Sequence, residues 1–307
     1  MIFINKKNKN EILNKKVKLT LVKTIKTIET KSVKLLVDGR LAVTSLNLVL
    51  IFNLSNFKCE MTITEDTNIN NINVLSNGKL LIQNEYLKIY VLTKTSYKCD
   101  FISSEFKDID VVQILELDNN TMVTYDITPC LIFINTNKPY NILNKFNICC
   151  HTYCDGLYYC KNKQLLVLIF EHEPAIIFWN LKTHQRITTI DDLSCPYHEG
   201  VIQLDENRLL VPSTLSIYTI CLRTFRVIRA IRINKEPLTR IFEMEPKLYL
   251  CQIGNKLFFS DARFYRLKYC KNFKEEIKEI RIINSNMLAL LSNTGKHVKL
   301  WKISNVD

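Results

Sequence analysis

Glycine is scarce in this chain, with six in 307 residues, and that scarcity removes whole classes of chemistry. Glycine-rich loops let backbone amides close around phosphates, and neither GxGxxG nor GxxxxGK(S/T) occurs. The GxSxG and HExxH patterns of serine hydrolases and zinc proteases are also missing. Gly295-Lys296-His297 shares two letters with a phosphate loop but lacks the earlier glycine. Long apolar runs are lacking too. Leu165–Phe170 (LLVLIF) is typical of the longest, far short of the roughly 18 residues a membrane-spanning helix needs. The opening MIFINKKNKNEILN has four apolar residues before its lysines begin, too few for a secretory h-region. The expectation is a soluble protein of the cytoplasm or nucleus, not a secreted one. Eleven cysteines cannot all pair. Scattered through apparent strands (Cys59, Cys99, Cys130, Cys221, Cys251, Cys270), they read as reduced thiols serving as small buried hydrophobes.

What is present favours a large β-rich domain. Hydrophobic residues make up 47% of the chain, enough for a sizeable core, and closed all-β folds of this length form single domains. The formal charge of +12 favours anionic partners only weakly, because the heavy use of Lys, Asn and Ile is also what a nucleotide-composition bias produces.

A repeat organises the whole chain. The pattern apolar-x-apolar-aromatic of VKLW, ending at Trp301, recurs as VLIF ending at Phe52, LKIY at Tyr90, LIFI at Ile134, IIFW at Trp179, LSIY at Tyr218 and LFFS at Ser260. Successive copies end 38, 44, 45, 39, 42 and 41 residues apart, the spacing of propeller blades. A turn cluster and a short apolar run precede each copy: DGRLAV, NGKLLI, DNNTMV, KNKQLLV, ENRLLV, EPKLYL and NSNMLAL. Gly39, Gly78, Asn120, Asn162, Asn207, Pro246 and Asn286 sit at or beside those turns, and these residue types suit hairpins. Fourth strands are expected at KCEMTI (58–63), KCDFIS (98–103), QRITTI (185–190) and FRVIRAI (225–231).

These residues resemble the WD40-repeat β-propeller family from about Lys15 to Ile303. The resemblance implies an all-β fold of seven four-stranded antiparallel blades around a channel, spanning 15–307 after a basic extension at 1–14. Family blades end their third strand in Trp-Asp. Here the pairs are Phe52-Asn53, Tyr90-Val91, Ile134-Asn135, Trp179-Asn180, Tyr218-Thr219, Ser260-Asp261 and Trp301-Lys302, and no Gly-His dipeptide occurs. The buried Asp-His-Ser-Trp network that braces many such blades is therefore not expected. The resemblance also implies how the ring closes. The last blade would lack its outermost strand, an unpaired edge prone to aggregation, and the family borrows that strand from the N-terminus. KKVKLTLVKTI (15–25), with Val17, Leu19 and Leu21 on one side, is expected beside VKLWKI.

Candidate sites are few. CCHTYCDGLYYC carries Cys149, Cys150, His151, Cys154 and Cys160, and four such ligands can hold zinc. Adjacent cysteines rarely share an ion, however, and CxxC is absent, so buried residues of a long inter-blade loop are the preferred reading, without metal or cofactor. Arg223, Arg226, Arg229 and Arg232 recur every third residue, with Lys235 and Arg240 near. On an outer strand, alternation would place Arg226 and Arg232 on one face and Arg229 on the other. They read first as a solvated, protected edge and second as an anion contact. The basic head (Lys6, Lys7, Lys9, Lys15, Lys16, Lys18) lacks interleaved aromatics for base stacking. The FRRG motif of phosphoinositide-binding propellers is absent, as no Arg-Arg pair exists. Ser260-Asp261-Ala262-Arg263 keeps the Asp-x-Arg half of the Trp-Asp-x-Arg motif found in substrate receptors of cullin-type ubiquitin ligases.

The sequence thus points to a non-catalytic interaction scaffold, a monomeric propeller within a complex. Its partner would be a protein held by the loop face; a ligase-receptor role or a polyanion such as nucleic acid are the alternatives. The longer inter-blade loops are 64–70, 145–155 and 191–199. Loops on a rigid scaffold concentrate binding residues, and aromatics anchor interfaces. Tyr153, Asp155, Tyr197, His198 and Glu199 are accordingly the expected partner-binding residues, with Tyr153 and Tyr197 first.

Overall fold

The computed structural model describes residues 16–306 except 104–110, 118–119, 127–129, 138–139, 149–153, 171, 173, 192, 195, 197–199, 215, 233–237, 246–247 and 262–267. One strand, β1 (Lys16–Lys26), precedes the first blade. Blade one is β2 (Thr30–Leu35), β3 (Leu41–Ser45), β4 (Leu48–Phe52) and β5 (Cys59–Thr64); blade two is β6 (Asn71–Val74), β7 (Leu80–Gln83), β8 (Leu87–Leu92) and β9 (Tyr97–Ser103). Blade three is β10 (Val111–Glu116), β11 (Thr121–Asp126), β12 (Cys130–Asn135) and β13 (Ile142–Asn147); blade four is β14 (Gly156–Cys160), β15 (Leu165–Phe170), β16 (Ala175–Asn180) and β17 (Gln185–Ile190). Blade five is β18 (Ile202–Asp205), β19 (Arg208–Pro212), β20 (Ser216–Cys221) and β21 (Arg226–Arg232); blade six is β22 (Leu238–Glu245), β23 (Leu248–Ile253), β24 (Lys256–Asp261) and β25 (Lys268–Asn272). Blade seven is β26 (Ile277–Asn284), β27 (Met287–Ser292) and β28 (His297–Val306), completed by β1. The result is a seven-bladed β-propeller. The 145–155 loop starts later than expected, because β13 continues to Asn147.

Sheets stacked around a ring are covered on both faces, and their central strands therefore read as continuous apolar runs rather than alternating ones. LLVLIF in β15 is buried at every position, as is LAVTS in β3. The core is correspondingly divided into seven apolar clusters, one at each blade interface. Cysteine contributes less to them than expected. Cys154, Cys160 and Cys251 are buried, but Cys59 is exposed and Cys99, Cys130, Cys221 and Cys270 are half-buried. The exposed and half-buried ones lie on third and fourth strands, near or at the rim.

First strands lie against first strands of the next blade, as β2 does against both β6 and β26, so they surround the axis and leave backbone groups unpaired on their inner edge. Side chains of the preceding blade cover those groups. Glu279 Oε2 accepts from the Val33 amide at 3.0 Å, and Arg281 Nε donates to the Val33 carbonyl at 3.0 Å. Asn73 donates to the Ile114 carbonyl at 2.7 Å, and Gln113 accepts from the Leu157 amide at 2.7 Å. The Tyr158 hydroxyl accepts from Gln203 N at 2.9 Å, and Arg240 donates to the Ile277 carbonyl at 3.3 Å. A buried amide or carbonyl left unpaired would cost about 1–3 kcal/mol.

The third strands coincide with the sequence repeat, with one correction in blade five. The last residue of the repeat pairs with the first or second apolar residue after the turn, as Phe52 does with Leu41, Tyr90 with Leu80 and Trp179 with Leu166. In blade five Tyr218 instead pairs with the third, Val211, while the first, Leu209, pairs with Ile220. The equivalent pair is thus Ile220-Cys221, and the copies around it lie 41 and 40 residues apart. LSIY satisfied the pattern two residues early because strand alternation repeats every two residues.

Every fourth strand carries one extra residue. Met61 and Cys59 face consecutive residues Ile51 and Phe52, leaving Glu60 without a partner position. Asp100, Leu143, Ile187, Ile228 and Cys270 hold the same place in blades two to six, and Val22 does in β1. A bulge inverts the side-chain alternation beyond it. That overturns the arginine alternation expected on β21. Arg226 lies opposite Cys221 and Arg229 opposite Thr219, on one face, while Arg232 lies opposite Ser216 on the other.

Aromatic rings in the turns between third and fourth strands tie blades together. Tyr140, His184 and Phe225 hold φ of 56°, 53° and 52°, a left-handed conformation that costs about 1–2 kcal/mol outside glycine. Each ring reaches the preceding blade. Tyr140 lies 4.7 Å from Phe101, His184 stacks 4.7 Å from Phe146, and Phe225 lies 5.0 Å from Phe178. Phe57, with φ 57°, packs against the cluster between blades seven and one.

The closing strand is the predicted one. Leu19 pairs with Ile303 and Leu21 with Trp301; after the bulge, Lys23 pairs with Leu300 and Ile25 with Val298. Leu19 consequently joins the cluster between blades six and seven, and Ile25 joins the one between blades seven and one.

Two expectations follow from this geometry. Inserting one alanine between Lys23 and Thr24 leaves Leu19 and Ile25 unable to face opposite clusters. Denaturant unfolding should show a loss of about 2–5 kcal/mol, as for a lost buried aliphatic. Val22→Ala, at an exposed site, should cost about 0.5 kcal/mol or less; equal costs would show that the closing strand does not depend on parity. At Phe225, glycine removes the backbone strain that alanine keeps. Phe225→Gly should therefore be less destabilising than Phe225→Ala by about 1 kcal/mol, and the reverse order in thermal unfolding would count against the strut.

Candidate interaction surfaces

Antiparallel connectivity sorts the loops between two ends of the ring. Turns joining second to third strands share one end with the connections from each fourth strand to the next blade, and we call that end the loop face. One anchored segment there runs from β17 to β18. Leu193 is buried there, and the Ser194 hydroxyl lies 3.1 Å from Ser213 Oγ and 2.9 Å from the Tyr218 hydroxyl. Burial raises the Tyr218 hydroxyl's pKa, but hydrogen bonds with Ser194, Ser213 and Ser216 outweigh it and hold the group below its ordinary value. Pro196 forms a β-bridge with Ser213. Gly200, at φ 98°, abuts blade six so closely that a Cβ would lie 2.3 Å from the Ile241 amide nitrogen. The predicted binders Tyr197, His198 and Glu199 lie outside the described residues, between these anchored flanks.

Asp155 sits at the loop-face end of blade four, its amide donating to the Ile169 carbonyl at 2.8 Å. Its carboxylate lies 3.8 Å from exposed His172. His172 was missed by sequence reasoning, since EHEP between two apolar runs reads as an ordinary turn. Tyr153, Cys149, Cys150 and His151 lie outside the described residues. Cys154 is buried in the cluster between blades three and four, and Sγ donates to the Gly156 carbonyl at 3.2 Å. Burial pushes its thiol up to about 12, which disfavours the thiolate a metal needs. Among the described residues no group of three His, Cys, Asp or Glu could hold a metal ion.

At the opposite end, Asp261 closes β24, while Arg263 lies outside the described residues. Arg226 and Arg232 are exposed on the rim of blade five, and Arg229 is half-buried.

A charged brace that sequence reasoning missed joins blades one and two. Glu65 is 2% exposed. Lys88 Nζ donates to its Oε2 at 2.6 Å, Asn84 to the same oxygen at 3.0 Å, and the Tyr90 hydroxyl to Oε1 at 2.6 Å. Burial, then Glu65, pushes the Tyr90 hydroxyl well above its ordinary value. A carboxylate held by three donors and buried is a brace rather than a reagent, because burial closes it to a substrate. The signal for it was Lys88 itself, a lysine inside the apolar LKIY strand.

Near the channel, half-buried Lys34 follows Val33, whose amide and carbonyl are held by Glu279 and Arg281. Burial and then Arg281 bring the Lys34 ammonium down to about 8, against a smaller opposing effect of Glu279.

No family model matches the chain, and no curated protein matches it. Its fold is common, with 1572 solved chains similar to it, so architecture alone does not single out an activity. One similar chain belongs to the crystal structure of the mitotic checkpoint complex. The two superpose with a TM-score of 0.74 at 10% identity over 92% of this chain and 91% of that one. No helix among the described residues is long and apolar enough to cross a membrane.

Lys34 yields a signed pH test. The folded chain binds fewer protons at this site than the unfolded chain between about 8 and the ordinary 10.5, so stability should rise with pH across that window. Lys34→Met should lose this component, and parallel stability profiles for the two proteins would refute it.

Proposed function

We propose that this propeller is a non-catalytic protein-interaction scaffold and that its loop face, at blades four and five, holds the partner. The observation that carries this reading is the anchoring of the β17–β18 connection by Ser194, the Pro196–Ser213 bridge and Gly200. Flanks fixed on both sides lower the ordering cost of association, which supports a partner-binding role for Tyr197, His198 and Glu199. Across the same face, Asp155 beside exposed His172 adds a polar pair suited to an interface rim. The charged groups best placed for chemistry are instead committed to bracing: Glu65 holds two blades together, and Glu279 and Arg281 close the ring. The similar chain belongs to a multiprotein complex, a setting in keeping with a scaffold.

Affinity capture of the tagged protein, with nuclease and across a salt series, tests the proposal. A discrete protein set retained at high salt in the parent, and lost from the Tyr153→Ala/Tyr197→Ala variant, is expected. Recovery of nucleic acid that washes away with salt, or a protein set indifferent to both substitutions, would overturn it. A cullin adaptor in the retained set would shift attention to Asp261 and Arg263.

A further inference from the structure

We propose a second interaction surface on the rim: the outer edge of β21 accepts an extended acidic peptide as a fifth strand of blade five. This lies beyond the loop-face reading and does not depend on it. The first support is topological. β21 ends the sheet β18-β19-β20-β21, with no further described strand beside it. Such an edge offers a row of backbone donors and acceptors that another extended chain can pair with.

All seven blades have an outer strand, so composition must distinguish this one. β5 carries Glu60 and β9 carries Asp100, whereas β13, β17, β21, β25 and β1 contain no acidic residue. Within that arc β21 has three arginines in seven residues, and its flanking rim strands add Arg186, Lys268 and Lys271. Arginine forms two parallel hydrogen bonds with a carboxylate, which lysine cannot. Val227 and Ile228 are 37% and 55% exposed and adjacent, giving an incoming strand apolar surface beside the charge.

The bulge sets the spacing of the cations. It absorbs Ile228, so Arg226 and Arg229 become next neighbours on one face, opposite Cys221 and Thr219, while Val227 and Ala230 share the other face with Arg232. A strand with acidic residues at every second position and aliphatic residues between them matches both faces. The same arginines repel a second copy of this edge, so self-pairing is disfavoured where acidic pairing is favoured. Nucleic acid is the poorer fit, because β21 has no aromatic side chain on which a base could stack.

The test uses the full chain and a labelled, end-capped ten-residue peptide of alternating Glu and Val, followed by fluorescence anisotropy. Saturable binding is expected, with none for the Lys-Val counterpart. Arg226→Glu/Arg229→Glu should weaken it about tenfold or more, the sum of an exposed ion pair at Arg226, a half-buried one at Arg229 and their reversed sign. Both positions are at the rim, and unchanged thermal unfolding would confirm that the variant folds. N-methylation of alternate peptide amides should abolish binding, since only strand addition needs those donors. Tyr197→Ala should leave it unchanged, which separates this surface from the loop face. Equal affinity for the N-methylated peptide, indifference to the charge reversal, or equally tight arginine-dependent binding of an oligothymidine would overturn the proposal.

Discussion

The pairing of β1 with β28 is the constraint on which the ring depends, because among the described strands it is the pairing that joins the two ends of the chain. Its register runs from Lys16 opposite Val306 to Lys26 opposite His297. The strand does more than cover an edge. Through the bulge at Val22 it supplies Leu19 to one interface cluster and Ile25 to the next, so blade seven is apolar on both faces like its neighbours. Beside it, Gly295 brings blade seven against the start of blade one. Its carbonyl accepts from the Thr30 amide at 2.8 Å, and a Cβ there would lie 3.0 Å from that nitrogen.

With closure made by strand pairing, the individual blades dispense with the hydrogen-bond network of the family they resemble. The indole nitrogens of Trp179 and Trp301 are buried without a hydrogen-bond partner, whereas in the network the Trp is a hydrogen-bonding member. Other devices take over. Asn53, Asn135 and Asn180 cap the turn after the third strand by accepting from backbone amides two residues on. The left-handed Tyr140, His184 and Phe225 clamp one blade to the previous one. Lys88 and Tyr90 hold a buried carboxylate between blades one and two. None of these recurs in all seven blades, and the stabilising interactions are therefore spread around the ring as unlike pairs rather than as one repeated motif.

That distribution explains what the sequence disclosed. Blade number, third strands and the closing strand were legible because two-residue alternation and turn residues recur at each repeat, and burial on both faces enforces them. The blade-five register was misread by two residues, because Ser216-Ile217-Tyr218 alternates as well as Tyr218-Thr219-Ile220; only pairing with Leu209 decides between them. The arginine faces were misread because a bulge leaves no mark in composition: Glu60, Leu143 and Ile228 share a structural position and no chemistry. The Glu65 brace depends on residues 19 to 25 apart meeting across an interface, so Lys88 in its apolar strand signals a buried charge but not the carboxylate that holds it. Of the candidate binders, only Asp155 is placed by the structure, and its companion His172 carried no signal.

The bulges also explain how one ring can offer surfaces of different character. At each fourth strand the extra residue has no partner position, so its identity is free of the pairing that constrains its neighbours. Blades three, four and five place Leu143, Ile187 and Ile228 there, each at least 40% exposed, whereas blade two places Asp100, which accepts from the Tyr140 hydroxyl at 2.7 Å. A residue exempt from core packing can vary in polarity at little cost to the fold. The rim can therefore diverge from blade to blade while the interface clusters stay apolar, and blade five combines that freedom with three arginines and no acid. The loop face varies for a different reason, since its connections differ in length and anchoring. Rigidity at the interfaces and variability at these two surfaces are consequences of one arrangement, in which the sheet interiors carry the stability and the strand edges and ends are free to differ in chemistry.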